Sequence, residues 1–313
     1  MSTLADPRGS VVTVGTFDGV HLGHRAVLEE IVRRAAASDR ASVLVTFEPH
    51  PLAVLRPEAA PQRLTTGPER YEILAQTGLD YAWFLRFDHA LAALPPDAFV
   101  REVLLARCGM RELVIGHDHG FGRGRSGGLA MLRELGEQDG FLVDVVAPVD
   151  VDGGPVSSSR VRAEVAAGRL DAAERLLGRR YRVSGRVVSG EGRGRLLGVP
   201  TLNLGEVPPE KLLPPDGVYA VQVEWRGGRA GGMMNQGPKP TFDDGRRSLE
   251  VHLFGFAGSL YGEWVSIEWV EQLRDVRRFA SAEQLIAQLQ HDRARAEAVL
   301  GLPGSNPSRV SDA

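Results

Sequence analysis

The 313-residue sequence is short of cysteine, of lysine and of long apolar runs, and each shortage excludes something. Cys108 is the only cysteine, so no disulfide forms within the chain, and a reducing cytosol fits. No stretch approaches the ~18 to 20 apolar residues of a membrane span, and no apolar core follows a basic start. A soluble, cytoplasmic protein with no membrane partner is expected. The charges nearly cancel, 37 basic against 40 acidic, which argues against a nucleic-acid partner held by bulk charge. Only Lys211 and Lys239 are lysines, and neither lies in a G-x-x-x-x-G-K-[ST] arrangement. A nucleotide must therefore be held without a P-loop.

What is present falls into two textures. The first half alternates strands and helices: Val11–Val14 strand, Leu22–Ala37 helix, Ser42–Phe47 strand, Glu69–Ala75 helix and Tyr81–Phe87 strand. Asp97–Ala106 (helix), Leu113–Ile115 (strand), Leu129–Glu137 (helix) and Phe141–Val146 (strand) continue it. This spacing predicts an α/β domain with a mostly parallel sheet covered on both faces. Ser157–Ser159 is expected to cap one helix through Val165, and Asp171 another through Leu177. After Gly178 come short alternating segments between Gly and Pro turns, at Tyr181–Val188, Val218–Trp225, Arg229–Met234, Ser248–Phe254 and Glu263–Val270. They predict a small antiparallel β-barrel, closed by an amphipathic helix over Ser281–Leu300. The expected domains are residues 1–178 and 179–302, with a disordered polar tail at 303–313.

The unusual loops all follow strands on the side where parallel sheets bind ligands. Val11–Arg25 reads VVTVGTFDGVHLGHR, a buried strand, a glycine loop and a helix start. The first-turn N–H groups of a helix lack internal partners, and its dipole favours an anion there. His21 and His24, three apart, add donors facing the same way, so a phosphate site is the leading reading. A structural role for either histidine ranks second. A zinc site with His117, Asp118 and His119 ranks third, because the spacing matches no established zinc pattern.

Two motif sets carry a resemblance. Gly15-Thr16-Phe17-Asp18-Gly19-Val20-His21-Leu22-Gly23-His24 resembles the HxGH signature of nucleotidylyltransferases, in the form found in bacterial FAD synthetases. Ser157-Ser158-Ser159-Arg160-Val161-Arg162 is similar to their SSTxIR element, with Ser159 in place of threonine. Thr46–Pro51 and Gly116–Gly122 match two further loops of that family, with His119 and Gly120 as departures. In the second half, Gly190–Gly198 followed by Pro200-Thr201-Leu202-Asn203 resembles the glycine loop and PTxN motif of riboflavin kinases. Ser248–Phe254 resembles their VExHL segment, and Asn235–Phe242 their N-x-G-x-x-P-T-F loop, with Gln236 and Pro238 as departures.

The resemblance implies a Rossmann-like HxGH nucleotidylyltransferase domain followed by a small antiparallel β-barrel riboflavin kinase domain with a closing helix. It implies that the second phosphorylates riboflavin to FMN and the first adenylylates FMN to FAD, releasing pyrophosphate. ATP, riboflavin and FMN would be the substrates, FMN and FAD products, and magnesium the ion accompanying ATP. Glu250 would be the base, and His21 and His24 the histidines acting on the triphosphate. Gly15, Phe17, Asp18, Gly23, Ser158, Ser159 and Arg162 would hold nucleotide in the first domain, and Gly190, Arg195 and Gly198 in the second. His50, Asp118, Phe121, Thr241, Phe242 and Arg274 would frame flavin, and Thr201 and Asn203 would position the metal. Two rivals stay open: a flavin- or nucleotide-binding regulator with blunted catalysis, and a zinc-dependent hydrolase.

Overall fold

A computed structural model describes residues 8–117, 128–190, 201–205, 207–238 and 247–302. The chain forms two compact units, dividing between Val161 and Arg162. In the first, five strands, β1 (Ser10–Val14), β2 (Ala41–Glu48), β3 (Tyr81–Arg86), β4 (Met110–Gly116) and β5 (Leu142–Val146), make a parallel sheet in the order β3-β2-β1-β4-β5. Its central strands read as apolar runs because both faces are covered. Val12, Val14, Val43 and Val45 pack one way, with Phe99, Val103 and Leu104. Val11, Leu44 and Val114 pack the other way, with Leu28 and Ile31 of α1 (Leu22–Ala37). Strand β1 lies between β2 and β4, so the chain leaves it towards both edges. The crevice beyond its carboxyl end is the topological switch point where such sheets bind ligands.

Around this sheet lie α2 (Pro51–Leu55), α3 (Gly67–Ala75) and α4 (His89–Ala93). A further helix, α5, runs from Pro96–Ala98 through a π-helical stretch, Phe99–Leu105, to Ala106–Cys108. Helix α6 (Leu129–Asp139) precedes β5, and a short hairpin of β6 (Asp150–Val151) and β7 (Gly154–Pro155) precedes α7 (Ser158–Ala166). The periodicity predicted neither α2 nor α4 nor the hairpin. The first two span five residues each, too few for a 3.6-residue repeat to register. Cys108 is fully buried, and burial pushes its thiol up to about 12, so it is inert at neutral pH.

One predicted cap is corrected. Helix α8 (Leu170–Leu177) starts with Arg169 at the N-cap, and Asp171 lies inside its first turn. The Asp171 carboxylate accepts a hydrogen bond from Arg175 Nη1 (3.0 Å), an i,i+4 pair on the helix, so it serves within the first turn and not at the N-cap.

In the second unit, β8 (Arg182–Val188), β9 (Leu202–Leu204), β10 (Gly217–Trp225), β11 (Gly228–Pro238), β12 (Arg247–Leu253) and β13 (Trp264–Arg274) close an antiparallel barrel. The order is β10-β11-β12-β9-β8-β13. Tyr219, Val221, Met234, Leu249, Val251, Val265, Ile267 and Trp269 are buried. Val218, Ala220 and Met233, on the opposite side of their strands, pack under α9 (Ala282–Val299) with Leu289, Ala296 and Val299. Ser281 caps α9 by accepting from Gln284 N. Among the described residues no helix is long and apolar enough to cross a membrane. The tail at 303–313 lies outside the described residues.

Candidate functional sites

The first site is built by the loop leaving β1. His21 is the N-cap of α1, and its Nδ1 accepts from His24 N (3.3 Å). Nδ1 of His21 is thereby an acceptor spent on the helix start, which fixes the ring's orientation. The His21 and His24 rings stack at 3.7 Å between centroids, and Phe17 lies against His24 at 4.6 Å. Phe17 and Val20 occupy positive φ (45° and 41°), as does Gly19 (85°) between them. A Cβ at Gly19 would come within 2.6 Å of the Leu64 side chain, so only glycine fits that close approach. Two non-glycine residues in the left-handed region mark a loop whose shape is imposed by its surroundings.

Those surroundings are buried polar groups. Asp18 is fully buried, and its carboxylate accepts from Leu64 N, Thr65 N and Thr65 Oγ1 at 3.1 to 3.2 Å. Arg63 Nε lies 3.4 Å from it. Asp18 thus pins the segment before α3 and does not project towards solvent. Ser158 Oγ donates to Asp18 O (2.9 Å), which places the start of α7 against the same loop. Ser157 caps that helix, accepting from Arg160 N. Arg160 in turn donates to Gly154 O, Pro155 O and Val151 O of the hairpin at 2.6 to 3.1 Å. Ser159 and Arg162 follow on α7, Arg162 one turn beyond Ser158. Gly15 ends β1, bonded through its N–H to Val45 O, and Gly23 sits in the first turn of α1. His50, after β2, is the N-cap of α2, where its Nδ1 accepts from Leu52 N (3.1 Å).

The second site is set by strand register. Asn203 on β9 pairs with Glu250 on β12, Glu250 with Asn235 on β11, Asn235 with Val218 on β10, and Val218 with Arg274 on β13. Side chains directly opposite in a ladder share a face, with Cβ atoms about 4.5–5.5 Å apart. Val218 belongs to the face beneath α9, so Asn203, Glu250, Asn235 and Arg274 form one row across that outer face. Glu250 is flanked by buried Leu249 and Val251, which point the other way. Gly190 presses on Asn203: a Cβ there would lie 2.1 Å from the amide nitrogen. Arg274 Nε donates to Asp292 Oδ2 of α9 (2.8 Å), and its guanidinium lies 5.6 Å over the Phe279 ring. Thr201 immediately precedes β9.

Gln236, a departure from the riboflavin kinase pattern, faces the barrel interior and is fully buried. Its Nε2 donates to Pro214 O (2.6 Å) and Pro215 O (3.0 Å), and its Oε1 accepts from Trp269 Nε1 (3.2 Å). An amide here is matched by a buried tryptophan N–H and two proline carbonyls, so all of its polar atoms are used.

Asp118, Phe121, Arg195, Gly198, Thr241 and Phe242, with His119, lie outside the described residues. Among the described residues no three histidine, cysteine, aspartate or glutamate side chains are grouped to hold a metal ion. Sequence reasoning did not single out Arg63, Arg70 or Asp292, and it named Asn235 only as the start of a loop motif; its place opposite Glu250 emerges once hairpin β11–β12 is paired.

Residues 3–160 match the family described as FAD synthetase, and residues 177–300 the family described as riboflavin kinase. The chain is 39% identical over 293 residues to the bifunctional riboflavin kinase/FMN adenylyltransferase of Pseudomonas fluorescens, covering 93% of each. It is 37% identical over 300 residues to the enzyme of the same name from Escherichia coli strain K12, covering 95% of each. It is also similar to a crystal structure described as a macrolide-efflux protein from Streptococcus pneumoniae, at 30% identity and TM-score 0.83, covering 93% of this chain and 96% of that one. With both families matched in order along one chain, and relatives this similar over nearly its whole length, the chain belongs to the bifunctional riboflavin kinase/FMN adenylyltransferase family.

Proposed function

We propose that this chain makes FAD in two ATP-dependent steps, the barrel unit converting riboflavin to FMN and the parallel-sheet unit converting FMN to FAD. The observation that carries this reading is the presence of two separate sites of different construction, each on the unit whose family match names one of the two reactions. We place the domain boundary at residue 178, at the left-handed Gly178 (φ 68°) that ends α8 before the first barrel strand. Contacts group α8 with the barrel, so that helix serves as the barrel's lead-in.

In the barrel, Glu250 takes the proton from the ribityl 5′-hydroxyl as its oxygen attacks the γ-phosphorus of ATP, and ADP leaves. Asn203 and Asn235 flank it in the row and hold the reacting groups in register. Gly190, Arg195 and Gly198 cradle ATP, while Thr241, Phe242 and Arg274 frame the flavin. The oxygens of Thr201 and Asn203 suit a hard cation that keeps waters and substrate phosphates, so these two residues would hold magnesium. Bound there, the ion neutralises phosphate charge.

In the parallel-sheet unit, an FMN phosphate oxygen attacks the α-phosphorus of a second ATP, and pyrophosphate leaves. The nucleophile is already an anion near neutral pH, so the site needs donors more than a base. His21 and His24 at the start of α1 supply donors where charge grows on the leaving group. Gly15, Phe17, Asp18, Gly23, Ser158, Ser159 and Arg162 shape or line the nucleotide pocket, with Asp18 acting from behind the loop. His50, Asp118 and Phe121 are assigned to the flavin. A cytoplasmic location fits the reducing environment that one buried thiol tolerates.

Incubated with riboflavin, ATP and magnesium, the protein should yield FMN and then FAD on chromatography, with ADP and pyrophosphate released. Chelation of magnesium should stop both. Stoichiometric bound zinc with turnover in the absence of magnesium would instead establish the hydrolase reading.

A further inference from the structure

Arg70, on α3, has no part in the chemistry above, yet it is only 1% exposed and is gripped at once by the loop after β1 and by the last residues of β2. Its Nη2 donates to Thr16 O, in the loop after β1, and to Thr46 Oγ1 near the end of β2. Its Nη1 donates to Phe47 O (3.3 Å) and pairs with Glu48 (3.2 Å), the residue leading into His50. The guanidinium also lies 5.1 Å over the Phe84 ring of β3. A planar fork with fixed N–H directions can serve acceptors on two strands together; a point-charge ammonium cannot.

The connection closes on itself. Asp18 holds Leu64 and Thr65, and these residues lead into α3. Three residues into α3, Arg70 returns to Thr16, two residues before Asp18. The loop carrying Phe17 and Val20 at positive φ is therefore held at Thr16, Asp18 and Gly19 by one circuit, since Gly19 N also donates to Thr65 Oγ1 (3.1 Å). Burial and the neighbouring Arg63 lower the guanidinium's pKa to about 10, which leaves it charged at neutral pH.

We infer that Arg70 is a positioning residue for adenylyl transfer, fixing the β1 loop that meets the triphosphate against the end of β2, from which the loop that meets FMN departs. This rests on the proposed roles of those two loops. Displacing reacting groups by about 1 Å can cost roughly 10²-fold in rate, and the clamp acts on that separation.

The test uses the full chain with supplied FMN. Arg70→Ala should lower kcat for FAD formation roughly 10²-fold with KM for ATP changed far less. Millimolar methylguanidinium should restore part of that kcat, while riboflavin phosphorylation stays at its starting rate. A folded Arg70→Ala with undiminished kcat, or a loss that methylguanidinium leaves untouched, overturns the inference. Where Arg70→Ala does not fold, Arg70→Lys carries the test: reduced kcat with a native circular dichroism spectrum supports the clamp, and unchanged kcat overturns it. His24→Ala in parallel separates the two claims. If it retains FAD formation, the assignment of the loop itself fails; if it loses FAD formation while Arg70→Ala does not, only the clamp fails.

Discussion

The two candidate sites, which we propose hold phosphates and a flavin, have opposite architectures. In the parallel-sheet unit the candidate residues sit on loops beyond the strand ends, since a covered parallel sheet leaves its strands no exposed face. Loops have no ladder to fix them. Here the fixing is done by charged side chains: buried Asp18 behind one loop, buried Arg70 between that loop and the end of β2, and half-buried Arg160 behind the serine helix. In the barrel, by contrast, Asn203, Glu250 and Asn235 sit on the strands themselves, and backbone register holds them in line. The first site is braced by side-chain hydrogen bonds, and the second by glycine clearance and interior packing.

This contrast can be broken at its strongest point. Gly190→Ala drives a methyl into the Asn203 amide, which must move by more than 1 Å. FMN formation should fall about 10²-fold while conversion of supplied FMN to FAD is unchanged, as measured by separate single-step assays. Unchanged FMN formation would show that Asn203 has freedom the register model denies it. A smaller effect is expected from Gln236→Leu, which strands the Trp269 indole N–H and two proline carbonyls in the barrel interior. Denaturant unfolding followed by tryptophan fluorescence should show a loss of about 1–3 kcal/mol in the barrel, with adenylylation unaffected. A neutral result would mean that the interior supplies other partners for these groups.

Much of this was legible in the sequence, and the parts that were not share a cause. Helix Leu22–Ala37 was readable to the residue because its apolar face repeats at 3.6 and the glycine loop stops it on one side. The barrel strands were readable from alternation, though β11 extends through Pro238, four residues beyond the predicted end at Met234. Gly237 and Pro238 read as a turn, but the ladder with β12 continues through them. Asp171 looked like a cap because capping and first-turn acids have the same composition; only the position of Arg169 separates them. The clamp at Arg70 was not legible. An arginine in a short helix reads as solvated, and nothing local says that α3 turns it inward towards Thr16. The sequence pointed to Asp18 as a nucleotide-binding candidate but not to its direction: its carboxylate is buried and bonded to the segment at 64–65.

The central claim is that each reaction belongs to one unit, and paired single substitutions test it most directly. Glu250→Ala, given riboflavin, should make no FMN yet convert supplied FMN to FAD at the starting rate. His24→Ala should make FMN normally and lose FAD formation by roughly 10²- to 10³-fold, the usual effect of removing one preorganised donor. Loss of both activities in either variant, with the fold intact by circular dichroism, would contradict the division of labour.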